Sequence, residues 1–149
     1  MSPNTSPTTE LLSTATCWQL LRGSAYGRLA VVVQGAPEIF PINFVADHGS
    51  IVFRTAAGTK LLGARTQPVA FEVDGIDGAD GTPWSVVVKG VARQVRELYD
   101  ALEVLALDLV PFEEGLKPTF VRIEPTSVTG RRIHLPPAAS SPAPPSPSS

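Results

Sequence analysis

Apolar and polar residues alternate along several short segments of the chain, the pattern of strands that bury one face. We predict six strands, at residues 28–33, 38–46, 50–55, 69–73, 84–95 and 120–124. Residues 127–134 could prolong the sixth strand beyond Pro125. Gly90 interrupts the fifth strand and indicates a bulge or a barrel corner, since glycine weakens a regular strand.

Helical spacing of apolar residues replaces alternation in the remaining segments. We predict helices at about residues 14–22, 59–65 and 97–110. Ser13 or Thr14 could cap the first helix, and Gly23 would end it. Most strand connections are of hairpin length, which favours antiparallel pairing. The pattern therefore predicts a mainly β fold with flanking helices, a six-stranded antiparallel barrel that leaves few exposed edges.

Composition limits the folded part of the chain to one domain. The 149 residues carry a net charge of -2, and their terminal stretch, 136–149, contains only Pro, Ala and Ser. Such a stretch cannot bury a core, so we expect a disordered tail. We expect a flexible segment at 1–12 and a folded domain at 13–135, a normal domain size.

Several classes of function find no support in the composition. No apolar run approaches the roughly 20 residues of a membrane span, and no signal peptide is visible. Cys17 has no cysteine partner for a disulfide or a zinc site. No basic stripe points to nucleic acid. We therefore expect a cytoplasmic protein whose ligand is a small molecule.

Motifs for hydrolytic or metal chemistry are also missing from the sequence. It has no HExxH, GxSxG, Walker or GxGxxG pattern. Asp74, Asp77 and Asp80 are spaced by three, whereas calcium loops need ligands at alternating positions. We predict a plain hairpin loop there and no metal site. The catalytic residues stay unknown at this stage.

The stretch FRTAAGTKL, residues 53–61, combines groups that suit a phosphate at a strand-to-helix corner. An arginine fork, two hydroxyls and a helix N-terminus can converge on one anion. Lys60 would lie in the first helical turn, where the helix dipole disfavours a cation unless an anion is also present. Alternatively, Thr59 only caps the helix while Arg54 and Lys60 are solvated. The candidate ligand-binding residues of this corner are Phe53, Arg54, Thr55, Thr59 and Lys60.

Two further segments carry candidate residues. Pro41 lies inside a strand, which normally marks an edge, a bulge or a strand end and frees main-chain groups for a ligand. With Ile42 and Asn43 it could line a heteroaromatic ring, although an edge-guarding proline and a solvent-facing Asn43 would explain the same residues. Trp84 could wall a pocket that Ser85 closes, or serve for packing alone.

In this order, the segments resemble the pyridoxamine phosphate oxidase-like proteins, the flavin-binding split β-barrels, and in particular their small uncharacterised branch. The matching stretches are CWQLLRGSAYGRLAVV, PEIFPINF, IVFRTAAGTK and WSVVVKGVARQV, within about residues 14–133. The resemblance implies a homodimer with FMN at the interface. The cofactor phosphate would lie at the 53–61 corner, the isoalloxazine along Pro41, Ile42 and Asn43, and Trp84 and Ser85 would close the site.

The resemblance leaves the activity open. The vitamin-making oxidase grips its substrate with a C-terminal arginine-histidine segment, which Arg131, Arg132 and His134 match only loosely. We expect an FMN-dependent oxidoreductase that transfers hydride or electrons, chemistry that the flavin supplies. One alternative is an F420-dependent reductase, for which Arg28 and Arg65 are the evident extra cations. Another is a non-catalytic flavin or haem binder, with His48 as a conceivable haem ligand.

Overall fold

The structure, a computed structural model, describes residues 6–55, 67–95 and 119–136. The elements in chain order are β1 (Thr8–Leu11), α1 (Thr14–Arg22), β2 (Tyr26–Val33), β3 (Ala36–Asp47), β4 (Ser50–Thr55), β5 (Gln67–Ile76), β6 (Pro83–Gln94) and β7 (Thr119–His134). The predicted helices at 59–65 and 97–110 and most of the predicted tail lie outside the described residues. No helix among the described residues is long and apolar enough to cross a membrane.

Six of the strands form a closed antiparallel ring. Their order is β7-β4-β3-β2-β5-β6, and β6 pairs back with β7. The predicted six-stranded antiparallel barrel is therefore confirmed. The sixth predicted strand does continue through Pro125, because β7 runs unbroken to His134.

β1 is a seventh strand outside this ring, and it was not predicted from the sequence. Thr8–Leu11 pairs with the end of β7, residues 131–134, although the first twelve residues were predicted to be flexible. All four β1 side chains are exposed, so burial imposes no alternation of apolar and polar residues on this strand. Residues 8–11 of the predicted flexible segment are thus a paired strand in the structure.

The barrel interior holds the core, and α1 closes it on one side. Alternate strand residues such as Leu29, Phe53 and Phe71 are fully buried. From α1, Cys17 and Leu21 complete this cluster. The helix begins as predicted, since the Ser13 hydroxyl accepts a hydrogen bond from the Thr16 main-chain N–H at 3.1 Å, and Gly23 caps its end.

Gly90 lies at a bulge between β6 and β7, as its place in the strand pattern predicted. The register shifts between Lys89 and Gly90, so that Gly90 pairs with Pro125. A methyl group at Gly90 would overlap the main-chain carbonyl of Glu124. Because that carbonyl belongs to a paired strand, the strand cannot move aside without losing hydrogen bonds.

Gly90→Ala is therefore expected to lower the free energy of unfolding by about 1–3 kcal/mol, the range for overpacking. Urea denaturation followed by tryptophan fluorescence measures the change. Gly78→Ala is the matched control, because a methyl group there meets no atom within 4 Å. Equal stability of the two variants would show that the bulge accepts a side chain.

Candidate functional site

Two of the three candidate residues of β3 lie on the outer face of the barrel. Pro41 and Asn43 are exposed, and their cross-strand partners on β2 are Arg28 and Tyr26. Ile42 points the other way and packs against the core. Its contribution to an outer-face ligand is therefore restricted to its main chain.

The first part of β3 is open on the side away from β2. β4 pairs with only the last four residues of β3, Phe44–Asp47. Within the described chain, residues 36–43 pair with β2 alone. Pro41 thus occupies an edge segment, one of the settings predicted for it, where its missing N–H breaks no ladder.

Asn43 and Arg54 lie directly beyond the last paired residues of β3 and β4, where the ladder between these strands ends. Phe44 and Phe53 are cross-strand partners, and both point into the core. By strand alternation, Asn43 on β3 and Arg54 on β4 therefore point away from the core. Arg54 is partly buried. Phe53 is fully buried, so its side chain cannot contact a ligand on the outer face.

The rest of the predicted phosphate corner is only partly described. Thr55 ends β4 and pairs with Thr119. Thr59 and Lys60 lie outside the described residues. Of the candidate residues of this corner, the structure describes Phe53, Arg54 and Thr55, and Arg54 is the charged one among these three.

Trp84 and Ser85 occupy the far end of the same sheet, on β6. Trp84 packs partly against the core, and its indole lies so close to Gly75 that a methyl group there would come within 2.7 Å of the ring. Ser85 pairs with Asp74 on one side and with Arg131 on the other. By strand alternation, Ser85 therefore faces outward together with these two charged residues.

A cleft of about 620 Å³ opens beside these two residues. Its lining residues are Glu72, Asp74, Gly75, Ile76, Pro83, Trp84, Ser85 and Ile133. The lining is mainly apolar and includes the indole of Trp84, the hydroxyl of Ser85 and the carboxyl groups of Glu72 and Asp74. This combination of apolar walls with few polar groups is typical of small-molecule sites.

An ion cluster joins the two halves of this surface. Arg28 on β2 donates a hydrogen bond to Glu72 Oε1 at 2.9 Å and another to the Asp74 carboxylate. Arg28 also stands opposite Pro41 on β3. The cluster thus lies between the candidate residues of β3 and Ser85 of β6, and together they form a continuous outer face.

The two carboxyl groups of the cluster differ in proton affinity. Burial, followed by the hydrogen bond and charge of Asp74, raises the pKa of Glu72 above its usual value. The hydrogen bond from Arg28 lowers the pKa of Asp74. Asp74 raises the pKa of Arg28 in turn, so that the guanidinium stays charged. Of the two carboxyl groups, Glu72 is the one that takes up a proton first.

The sequence did not single out this cluster. Glu72 and Asp74 alternate with the buried Val69, Phe71 and Val73, so their outward direction was predictable. Their contact with Arg28 was not, because it depends on which strand pairs with β5. The available signal was the pair of carboxylates two residues apart on one strand face.

Comparison with known proteins places most of the chain in one family. The sequence profile of the family described as pyridoxamine 5'-phosphate oxidase matches residues 13–132. An uncharacterized protein of Mycobacterium tuberculosis is 33% identical over 121 residues, which cover 77% of this chain and 79% of that protein.

Two solved structures share the fold over most of their length. The FAD binding protein of Mycobacterium smegmatis is 42% identical, with a TM-score of 0.75 over 85% of this chain and 99% of that one. A candidate pyridoxamine 5'-phosphate oxidase of Corynebacterium glutamicum is 37% identical, with a TM-score of 0.76 over 85% and 94% of the two chains. Both proteins are therefore similar to this chain in sequence and in the fold of the barrel.

Proposed function

The chain belongs to the pyridoxamine 5'-phosphate oxidase family, and from this premise we propose that it is a flavoprotein that binds FMN on the outer barrel face. The observation that carries the proposal is the continuous surface from Arg54 and Asn43, across Arg28, to Ser85. The FAD binding protein of Mycobacterium smegmatis, 42% identical, supports a flavin as the ligand.

The described side chains fit the chemistry of FMN. Arg54 supplies a cationic fork for the phosphate ester, and Thr55, Thr59 and Lys60 are the further candidates at that corner. Asn43 offers both donors and an acceptor to the polar edge of the ring system. The main chain of Pro41 and Ile42 would run along the ring, and Trp84 and Ser85 would close the site.

A bound flavin would supply hydride or electron transfer, and the protein would provide placement and exclusion of water. The described site needs no separate nucleophile for this chemistry. Arg54 would neutralise the phosphate, and Arg28 would hold two carboxylates in place beside the ring. We therefore propose an FMN-dependent oxidoreductase that acts on a small molecule, rather than a passive flavin store.

A titration with FMN, FAD, F420 and haem in parallel tests the ligand. We expect FMN to bind most tightly and its fluorescence to be quenched. A protein that binds no flavin at high micromolar concentration would refute the proposal. Turnover of NAD(P)H with an artificial acceptor then separates an oxidoreductase from a binder, which would show none.

The same outer face supports a homodimer with the flavin at its interface. Val32 is 57% exposed and Ile39 is 67% exposed. A second, largely apolar cleft of about 360 Å³ lies beside them, lined mainly by valine, alanine and proline residues of β2, β3 and β5. Apolar residues that project side by side from a sheet favour burial against another surface.

Ile39→Lys is accordingly expected to convert the dimer into a monomer that stays folded, because Ile39 is exposed on the single chain. Analytical ultracentrifugation measures the change in mass. Gln19→Lys, at an exposed position of α1, adds the same charge away from this face and should leave the dimer intact. A dimeric Ile39→Lys protein would place the interface elsewhere.

A further inference from the structure

Glu72 shares the Arg28 guanidinium with a second carboxyl group, that of Asp74, and it lines a ligand-sized cleft. Its Oε1 accepts a hydrogen bond from Arg28 at 2.9 Å, and Arg28 also binds Asp74. Glu72 and Asp74 both line the cleft of about 620 Å³ that contains Trp84 and Ser85. The cluster is therefore part of the surface that a bound flavin would cover.

Apart from Arg28 and Asp74, the immediate neighbours of Glu72 on this face are uncharged. Its partners across the two ladders are Arg28 on β2 and Val87 on β6. On β3, the residue opposite Arg28 is Pro41. Beyond its own cluster, the charged groups that share the face are therefore two positions or more away.

Those more distant groups include Lys89 on β6, which pairs with Ala70, Arg131 on β7, which pairs with Ser85, and Arg54 on β4, which pairs with Phe120. Lys89 and Arg131 are both exposed, so solvent screens them. With both carboxylates ionised, the cluster itself carries one net negative charge. With one proton bound it is neutral.

We propose that Glu72 is the proton-carrying residue of the flavin site and takes up one proton from solvent when a flavin covers the outer face. Protonated Glu72 can donate a hydrogen bond to the Asp74 carboxylate, while Arg28 keeps its bond to each residue. The covered cluster is then neutral and suits an uncharged planar ring rather than a cation. This inference rests on the proposed function and adds a specific role for Glu72.

The physical cause is desolvation. Burial is already the largest influence that raises the pKa of Glu72, and a ligand on the cleft would remove further water. The pKa in the complex then lies above that of the free protein, and both lie above the ordinary value of 4.5. Affinity for the flavin is therefore fully present below the free pKa and declines as pH rises through the pKa of the complex.

The experiment measures the FMN dissociation constant between pH 5 and 8 for the wild-type protein and for Glu72→Gln. The FMN phosphate titrates in this range too, but it contributes equally to both proteins and cancels in their ratio. We expect the wild-type constant, divided by that of Glu72→Gln, to rise at least tenfold across the range. Calorimetry in two buffers of different ionisation heat should show more proton uptake by the wild type.

Asp80→Asn provides the matched control, because Asp80 lies outside the cluster, in the loop between β5 and β6, where it accepts a hydrogen bond from the Thr82 main chain. The FMN dissociation constant of the wild type, divided by that of Asp80→Asn, should stay constant with pH. Asp74→Asn is the second variant. It removes one cause of the raised pKa of Glu72, so the decline of FMN affinity should occur at lower pH than in the wild type. A flat ratio for Glu72→Gln, with FMN still bound, overturns the role of Glu72 alone. Absence of FMN binding at every pH overturns the proposed function itself.

Discussion

Asp47→Asn is expected to remove about 3–5 kcal/mol from the free energy of unfolding, the range for a buried charge that loses its partner. Asp47 Oδ2 accepts a hydrogen bond from Arg122 Nη1 at 3.1 Å, and both side chains are more than 90% buried. Arg122 also donates to the Ser50 hydroxyl at 2.6 Å. The substitution keeps the shape of the side chain but leaves the guanidinium charge buried and uncompensated.

Urea denaturation measures this loss, which is a large part of the 5–15 kcal/mol that stabilises a typical domain. Glu124→Gln is the control: it breaks the exposed pair with Arg93, 3.1 Å apart, and should cost about 1 kcal/mol or less. If Asp47→Asn does not fold, the double variant Asp47→Leu/Arg122→Met is measured instead. A buried pair replaced by apolar residues usually folds well, so a folded double variant would assign the loss in Asp47→Asn to the unpaired charge of Arg122. Near-wild-type stability of Asp47→Asn would show that the pair contributes little.

Arg54→Met is expected to raise the FMN dissociation constant by about 10- to 100-fold, since hydrogen bonds to charged groups contribute about 1.5–3 kcal/mol. The methionine retains much of the aliphatic stem and removes the charge that would face the phosphate. Fluorescence titration with FMN and with riboflavin measures the effect. Riboflavin lacks the phosphate, so its affinity should change little.

Arg93→Met is the matched control for this prediction. Arg93 is also on an outward position of the barrel, and its guanidinium pairs with Glu124. Its replacement should leave FMN affinity within about twofold of the wild type, because exposed ion pairs contribute little. Equal losses from the two variants would indicate a general effect of surface charge instead of a phosphate site at Arg54.

The strands were predictable because one face of each is buried. The segment 50–55 was predicted with the bounds that β4 has, Ser50–Thr55, and turn residues marked most other ends. β1 was missed because its exposed residues carry no apolar period. Residues 127–134 were predicted only as a possible extension of the last strand, because Pro125 interrupts its sequence pattern. In the structure, Pro125 pairs with Gly90 at the bulge, and the strand continues past it.

The candidate site was predictable only where a residue type alone indicates chemistry. Arg54 and Asn43 both point away from the core and are the sequence neighbours of the paired residues Phe53 and Phe44, although they were identified from separate segments. Phe53 belongs to the core instead, because the inward position alternates with that of Arg54. The ion cluster could not be predicted, since the contact of Arg28 with Glu72 joins residues 44 apart in sequence.

A crystal structure of the protein with FMN tests the central claim most directly. We expect the isoalloxazine on the outer barrel face between Asn43 and Ser85, with the FMN phosphate at the Arg54 guanidinium. FMN bound elsewhere, or an empty face with Arg54 directed into bulk water, would contradict it.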